Sequence, residues 1–196
     1  MKKFILLFLL TATLSYGQAS VDGISHGTFT RHVHWTASNL GKNVTHPPVV
    51  DHYGITKVLK FTVNTDKVSY KWLIPDDYAS GDLTLHINWT RSTTGTDEST
   101  DTVNWQVKNL VVNGTSEEIA AGENTDDTIQ DAYTSSSTTD KICYETEDIT
   151  IAAGEFSAGE LLIMEIMAIT VGSGTPLSEP AIISVGLHYT AYRVTP

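Results

Sequence analysis

The feature that most restricts this chain is a period-two alternation of apolar and polar side chains that returns in short runs and never lengthens into a helical pattern. Its clearest instance is DLTLHINWTR, Asp82 to Arg91, where Leu83, Leu85, Ile87 and Trp89 share one parity and Thr84, His86, Asn88 and Thr90 the other. Successive side chains of an extended strand point to opposite sides, so such a run is a strand with one apolar face. About eight runs of this kind are rich in Val, Ile, Thr, Tyr and Trp and are bounded by Gly, Pro, Asn, Asp or Ser: Phe29 to Thr36, Lys57 to Val63, Val68 to Ile74, Leu83 to Thr90, Val103 to Val111, Ile142 to Ile151, Leu161 to Val171 and Ile182 to Val194. The expected fold is therefore all-β, an antiparallel sandwich of jelly-roll type with about eight strands.

The turns carry their own chemistry. NTDK (Asn64 to Lys67) and ASGD (Ala79 to Asp82) supply residues that tolerate a tight or left-handed backbone, and AAGEFSAGE (Ala152 to Glu160) sets two glycines around a reversal. Two polar stretches, Ser92 to Asp101 and Asn113 to Asp140, are expected as long exposed loops, the second with a short helical turn or disorder. Alternation in the last run puts Ile183, Val185, Leu187, Tyr189 and Ala191 on one side. The run LLIMEIMAITV is apolar on both parities except at Glu165, as a central strand covered twice, or one at a subunit contact, would be. The expected core holds Trp72, Leu85, Ile87, Trp89, Trp105, Leu187 and Tyr189. Each large side chain buried there contributes about 1.5–3 kcal/mol.

Charge narrows the function. With 12 Lys+Arg against 23 Asp+Glu the formal net charge is -11, which repels a phosphate backbone and argues against nucleic acid as a partner. Lys2-Lys3, an apolar run from Phe4 and the small residues Ser15 and Gly17 read as a secretory leader over residues 1–19. A polar, histidine-rich segment with one strand follows over 20–56, then a sandwich body over 57–196. The expected location is secreted or on a virion surface, with membrane contact only through the leader if it is retained. Cys143 is the single cysteine, so stability rests on packing without an intrachain disulfide.

Five of the seven histidines, His26, His32, His34, His46 and His52, fall in the N-terminal segment. His32 and His34 share a strand face, as two metal ligands must, but Asn39 stands where a cupin-like site wants a carboxylate. No metal site and no cofactor is therefore expected. His86 and His188 lie opposite the apolar stripes of their strands and, with Asn88 and Tyr192, are expected to form a polar, protein-contacting face. Neither G-x-S-x-G, a P-loop, H-E-x-x-H nor a dinucleotide fingerprint occurs, and no catalytic residues are expected.

Three separated segments resemble a family of tailed-phage virion structural proteins. WLIPDDYASGDLTLHINWTR (Trp72 to Arg91) is similar to its Pro-x-x-Tyr, Gly-Asp and His-Ile-x-Trp block, DTVNWQV (Asp101 to Val107) to its Val-x-Trp strand, and ITIAAGEFSAGELLIMEIM with IISVGLHYTAY to its closing turn, long apolar strand and His-Tyr strand. The resemblance runs from Lys57 to Tyr192 and implies a single jelly roll acting as a non-enzymatic building block. Two departures weaken any metal role that it implies, since Asn88 and Asp76 replace family histidines, while His86 and His188 match.

The expected function is thus a structural protein of a virion or extracellular assembly, whose partners are copies of itself in a homo-oligomer or other virion or surface proteins. The alternative is a secreted bacterial carbohydrate-binding or adhesion module, taking glycans on Trp35, Tyr53 or Tyr133 as exposed stacking aromatics.

Overall fold

A computed structural model describes residues 27–91, 101–112, 124–133, 142–177 and 179–193, with side chains omitted for 124–127. The leader, His26 and most of the two polar stretches lie outside the described residues. Twelve strands are described: β1 (Thr28–Thr36), β2 (Gly41–Lys42), β3 (Val49–Tyr53), β4 (Thr56–Lys60), β5 (Lys67–Leu73), β6 (Leu83–Arg91), β7 (Thr102–Val112), β8 (Asn124–Ala132), β9 (Tyr144–Glu145), β10 (Ile149–Ile151), β11 (Leu161–Ile169) and β12 (Pro180–Tyr192). One sheet runs β10-β6-β12-β4-β3, with β1 also on β12 and β9 also on β6; the other runs β2-β5-β11-β7-β8. Strands β4, β5, β6 and β7 alternate between the two sheets, and β10, β11 and β12 do so again. The chain is an antiparallel β-sandwich of jelly-roll type.

Strict alternation positions the core. In β5 the buried residues are Val68, Tyr70 and Trp72; in β7 they are Val103, Trp105, Val107 and Asn109; in β11 they are Leu162, Met164, Ile166 and Ala168. Trp72, Leu85, Ile87, Trp89, Trp105, Leu187 and Tyr189 are all buried. Aromatic pairs bridge the two layers: Trp35 of β1 meets Tyr70 of β5 at 4.6 Å between ring centroids, and Trp72 of β5 meets Tyr189 of β12 at 5.2 Å. The indole N–H of Trp89 donates to Asp131 Oδ2 at 2.7 Å, tying β6 of the first sheet to β8 of the second.

Several expectations are corrected. Asn124–Ala132, read from sequence as loop, helical turn or disorder, is strand β8, paired along β7. It is a sheet edge, so a polar sequence suffices and the apolar signal is missing. The segment before residue 57 supplies three strands, not one. β1 pairs with β12 over nine residues, from Thr28↔Tyr192 to Thr36↔Ser184. The run Ile142 to Ile151 is broken into β9 and β10 at Thr146, whose N–H and hydroxyl are both engaged by the backbone of Ile87. A β-bulge in β12 between Ile182 and Ser184 makes Ile182, not Ile183, the core residue, and turns Ile183 to the outer surface.

The NTDK turn behaves as its chemistry requires, with Asn64 at φ +62°. β3 and β4 form a two-residue hairpin whose first turn residue, Gly54, has φ +63°, a position where a β-carbon is costly. β11 is central in its sheet; its second face is half buried, and Glu165 there pairs with Lys67 Nζ at 2.8 Å. Beside it Leu73, Leu110, Val112, Leu161 and Ile163 form an apolar patch on the outer surface, with Leu73 well exposed. The Arg193 amide donates to the Gly27 carbonyl at 2.9 Å, closing the far end of β1 against β12.

Candidate functional site

The outer face of the first sheet brings together side chains that sequence alone could only assign to polar parities. Pairing registers place Asn88 opposite Ser184, His86 and His34 opposite Gly186, and Thr84 and His32 opposite His188. The central strip is therefore Thr84, His86, Asn88 and Thr90 on β6, Ser184, Gly186, His188 and Thr190 on β12, and Thr30, His32, His34 and Thr36 on β1. Not one of these carries a carboxylate, an ammonium or a guanidinium. In a chain of net charge -11, that makes the strip an uncharged band of hydrogen-bonding groups.

Four histidines meet at its middle. His32 packs on His188 with ring centroids 3.7 Å apart, His188 meets His86 edge-on at 4.6 Å, and His86 meets His34 at 6.1 Å. The row is possible because residue 186 is glycine: the His86 imidazole folds across the β12 backbone there and becomes buried. His188 Nε2 is buried and has no hydrogen-bond partner. Burial, then the neighbouring rings of His32 and His86, pushes the His188 pKa below the ordinary histidine value, with Asp148 and Glu145 partly opposing. Among the described residues no group of three or more His, Cys, Asp or Glu side chains could hold a metal ion.

At the Thr90 end of the strip, about 13 Å along β6 from His86 at the usual rise per strand residue, the face dips into a depression of about 480 Å³. Tyr53, Val58, Thr90, Cys143 and the bulged Ile183 line it. The Tyr53 hydroxyl donates to the Arg91 carbonyl at 3.0 Å, which fixes its ring at the rim. The Thr90 hydroxyl lies buried in the floor without a partner. Burial, then Glu145, pushes the Cys143 thiol pKa up, so the sulfur is held as a poor nucleophile. A second depression, at the opposite end, is lined by Phe29, Arg31 and Arg193. There the Arg31 guanidinium is engaged by Asp77 at 2.8 Å and lies over the Phe29 ring.

Of the three aromatics expected to stack on glycans, only Tyr53 stands at this surface. Trp35 packs between the sheets against Tyr70, and Tyr133 is fully buried beside Trp89 and Tyr144. Tyr192 is exposed at the far end of the strip, and Asn88 is half buried near its centre. His46 and His52 stand apart from the row, on the segment joining β2 to β3 and on β3. Sequence reasoning missed the joining of the N-terminal His32 and His34 to His86 and His188, because strand adjacency depends on a pairing between residues more than 150 positions apart. It also missed Gly186 and Ile183, whose roles depend on a close approach and a bulge.

No protein-family model and no curated protein matches the chain. Among solved structures, similar folds include a xylan-binding module, CBM15, at 15% identity over 83% of this chain and 97% of that one, with a TM-score of 0.49. An exo-β-1,3-galactanase from Phanerochaete chrysosporium with galactose matches at 11% identity over 80% of this chain, TM-score 0.38. Xylanase10C from Cellvibrio japonicus in complex with xylopentaose matches at 13% identity over 84%, TM-score 0.43. The chain spans 29% of the length of each of these two enzymes. No residue role is carried over from any of them.

Proposed function

We propose that the protein is a carbohydrate-binding β-sandwich that performs no reaction and holds a neutral glycan along the outer face of β6, β12 and β1. One sugar ring sits in the depression against Tyr53. The observation that carries this reading is the continuity of the depression with the uncharged strip. A sugar offers C–H faces to an aromatic ring and hydroxyls to neutral donors and acceptors, and the face supplies both in series. A depression of about 480 Å³ falls within the usual size of small-molecule sites.

The test is a glycan array followed by calorimetry on the hits, with xylan, the ligand named for one of the similar structures, among the probes. Reproducible binding that Tyr53→Ala weakens by tenfold or more is the expected result. An array without hits, or hits indifferent to Tyr53→Ala, overturns it. A second reading, a building block assembling with copies of itself, draws on the apolar patch around Leu73 and Ile163. Sedimentation separates the two: concentration-dependent association abolished by Leu73→Glu supports assembly, and a strict monomer removes it.

A further inference from the structure

We infer that the depression lined by Phe29, Arg31 and Arg193 is a second binding site, for a sugar that carries one carboxylate, a uronic acid residue. The inference stands apart from Tyr53 and the neutral strip, because these side chains lie on the other parity of their strands.

Register shows why the depression exists. Phe29 lies opposite Ala191 and Arg31 opposite Tyr189, so both belong to the core side of β1, yet they are exposed while Tyr189 and Ala191 are buried. The sandwich therefore leaves this corner open, and a cavity of about 550 Å³ forms there, lined by Gly27, Thr28, Phe29, Arg31 and Arg193. That volume falls within the usual range of small-molecule sites. Arg193 is brought to the corner by the bond from its amide to the Gly27 carbonyl.

Charge says what the corner would hold. Arg31, Arg91 and Arg193 are the only arginines of the chain, and Arg91 is buried against the Tyr133 ring. Both exposed arginines thus line one cavity, and none of its lining residues is acidic. In a chain of net charge -11 that is a local reversal of sign. Arg31 is held in place: Asp77 engages it at 2.8 Å, Tyr189 is hydrogen-bonded to it, and its guanidinium lies 5.1 Å from the centre of the Phe29 ring. Asp77 offsets the Arg31 charge but occupies only part of a guanidinium with several N–H donors. Arg193 makes no ion pair among the described residues, so its charge is unanswered. A fixed guanidinium beside an unpaired one suits a planar carboxylate, which arginine grips with parallel N–H bonds. The open part of Phe29, 40% exposed, offers apolar surface for the C–H face of a pyranose, and Thr28 brings a hydroxyl for the ring hydroxyls. The remaining acidic surface repels a polyanion, so the ligand is a single uronate, free or at the end of a neutral glycan.

The experiment titrates the full chain calorimetrically with glucuronic and galacturonic acids. Glucose and galactose serve as the uncharged counterparts, and acetate and benzoate as carboxylates without a sugar ring. The expected result is saturable binding of a uronate, at least about tenfold tighter than any of these controls and weakened by added salt. Arg193→Gln should weaken it by about tenfold or more, and Lys42→Gln, which removes an exposed charge from the other sheet, should leave it unchanged. Arg193 is exposed, so its replacement removes no buried contact, and near-UV circular dichroism checks each variant. Uronates that bind no tighter than glucose or galactose, acetate or benzoate binding as tightly as a uronate, or uronate binding that persists in folded Arg193→Gln each overturn the inference. None of these outcomes touches the binding of a neutral glycan against Tyr53, so the two readings fail separately.

Discussion

The imidazole of His86 occupies the space directly over Gly186, so that a β-carbon at position 186 would overlap Nε2, Cε1 and Cδ2 of the ring. Glycine is thus required there by a side chain from the neighbouring strand, not by its own backbone angles. Gly186→Ala should swing His86 into solvent and cost about 1–3 kcal/mol, as overpacking does. In a His86→Ser background the same change should be neutral or mildly stabilising, because alanine is the better strand residue. Chemical denaturation of the four proteins of the cycle measures this directly.

The tie between Trp89 and Asp131 joins the two sheets at the fully buried indole. Asp131→Ala leaves that N–H buried without an acceptor, a loss of about 1–3 kcal/mol. Trp89→Phe removes the donor as well as ring area, so adding Asp131→Ala to Trp89→Phe should cost clearly less than Asp131→Ala alone. Equal costs in the two backgrounds would show the bond to be energetically silent.

His188 gives the fold a pH dependence of definite sign. Its folded-state pKa lies below its unfolded value of 6.5, so the unfolded chain takes up the proton first as pH falls. The stability contributed by the neutral ring is complete above pH 6.5 and declines as the solution is acidified below that value. Urea midpoints measured from pH 7.5 to pH 5 should fall, and His188→Gln should flatten the fall. A midpoint that rises on acidification in the wild type and not in the variant would contradict this assignment.

Glu165, the one charge in the apolar run of β11, is answered by Lys67 across the strand pair. Both side chains are partly open to solvent, and a pair of this kind is worth no more than about 1 kcal/mol. Glu165→Gln should therefore change the unfolding free energy by less than that, with most of the change lost in 1 M salt. A larger effect would mean that the face is covered in solution.

The architecture was legible wherever a strand has one apolar face. β5, β6 and β7 follow their alternation closely, and Trp72, Trp89 and Trp105 are buried where the pattern puts them. The edge strand β8 was illegible for a physical reason. β8 pairs on one side only, and its Thr128 and Gln130 are exposed, so a sequence like NTDDTIQDA satisfies it without apolar periodicity. The site was half legible: the parity of His86, His188, His32 and His34 follows from counting, but their meeting depends on β12 lying between β6 and β1. Ile183 falls on the wrong side because it is itself the inserted bulge residue, which the alternation that holds from Ser184 to Tyr192 does not count.

The amide of Arg193 rests on the carbonyl of Gly27, so the two ends of the described body leave the molecule from neighbouring points. A short linker could therefore join these positions and new ends be opened at the tip of the Gly54-Ile55 hairpin, giving a circular permutant with every sheet pairing retained. The same adjacency makes the sandwich a cassette that could be spliced into a loop of a larger protein without stretching its host.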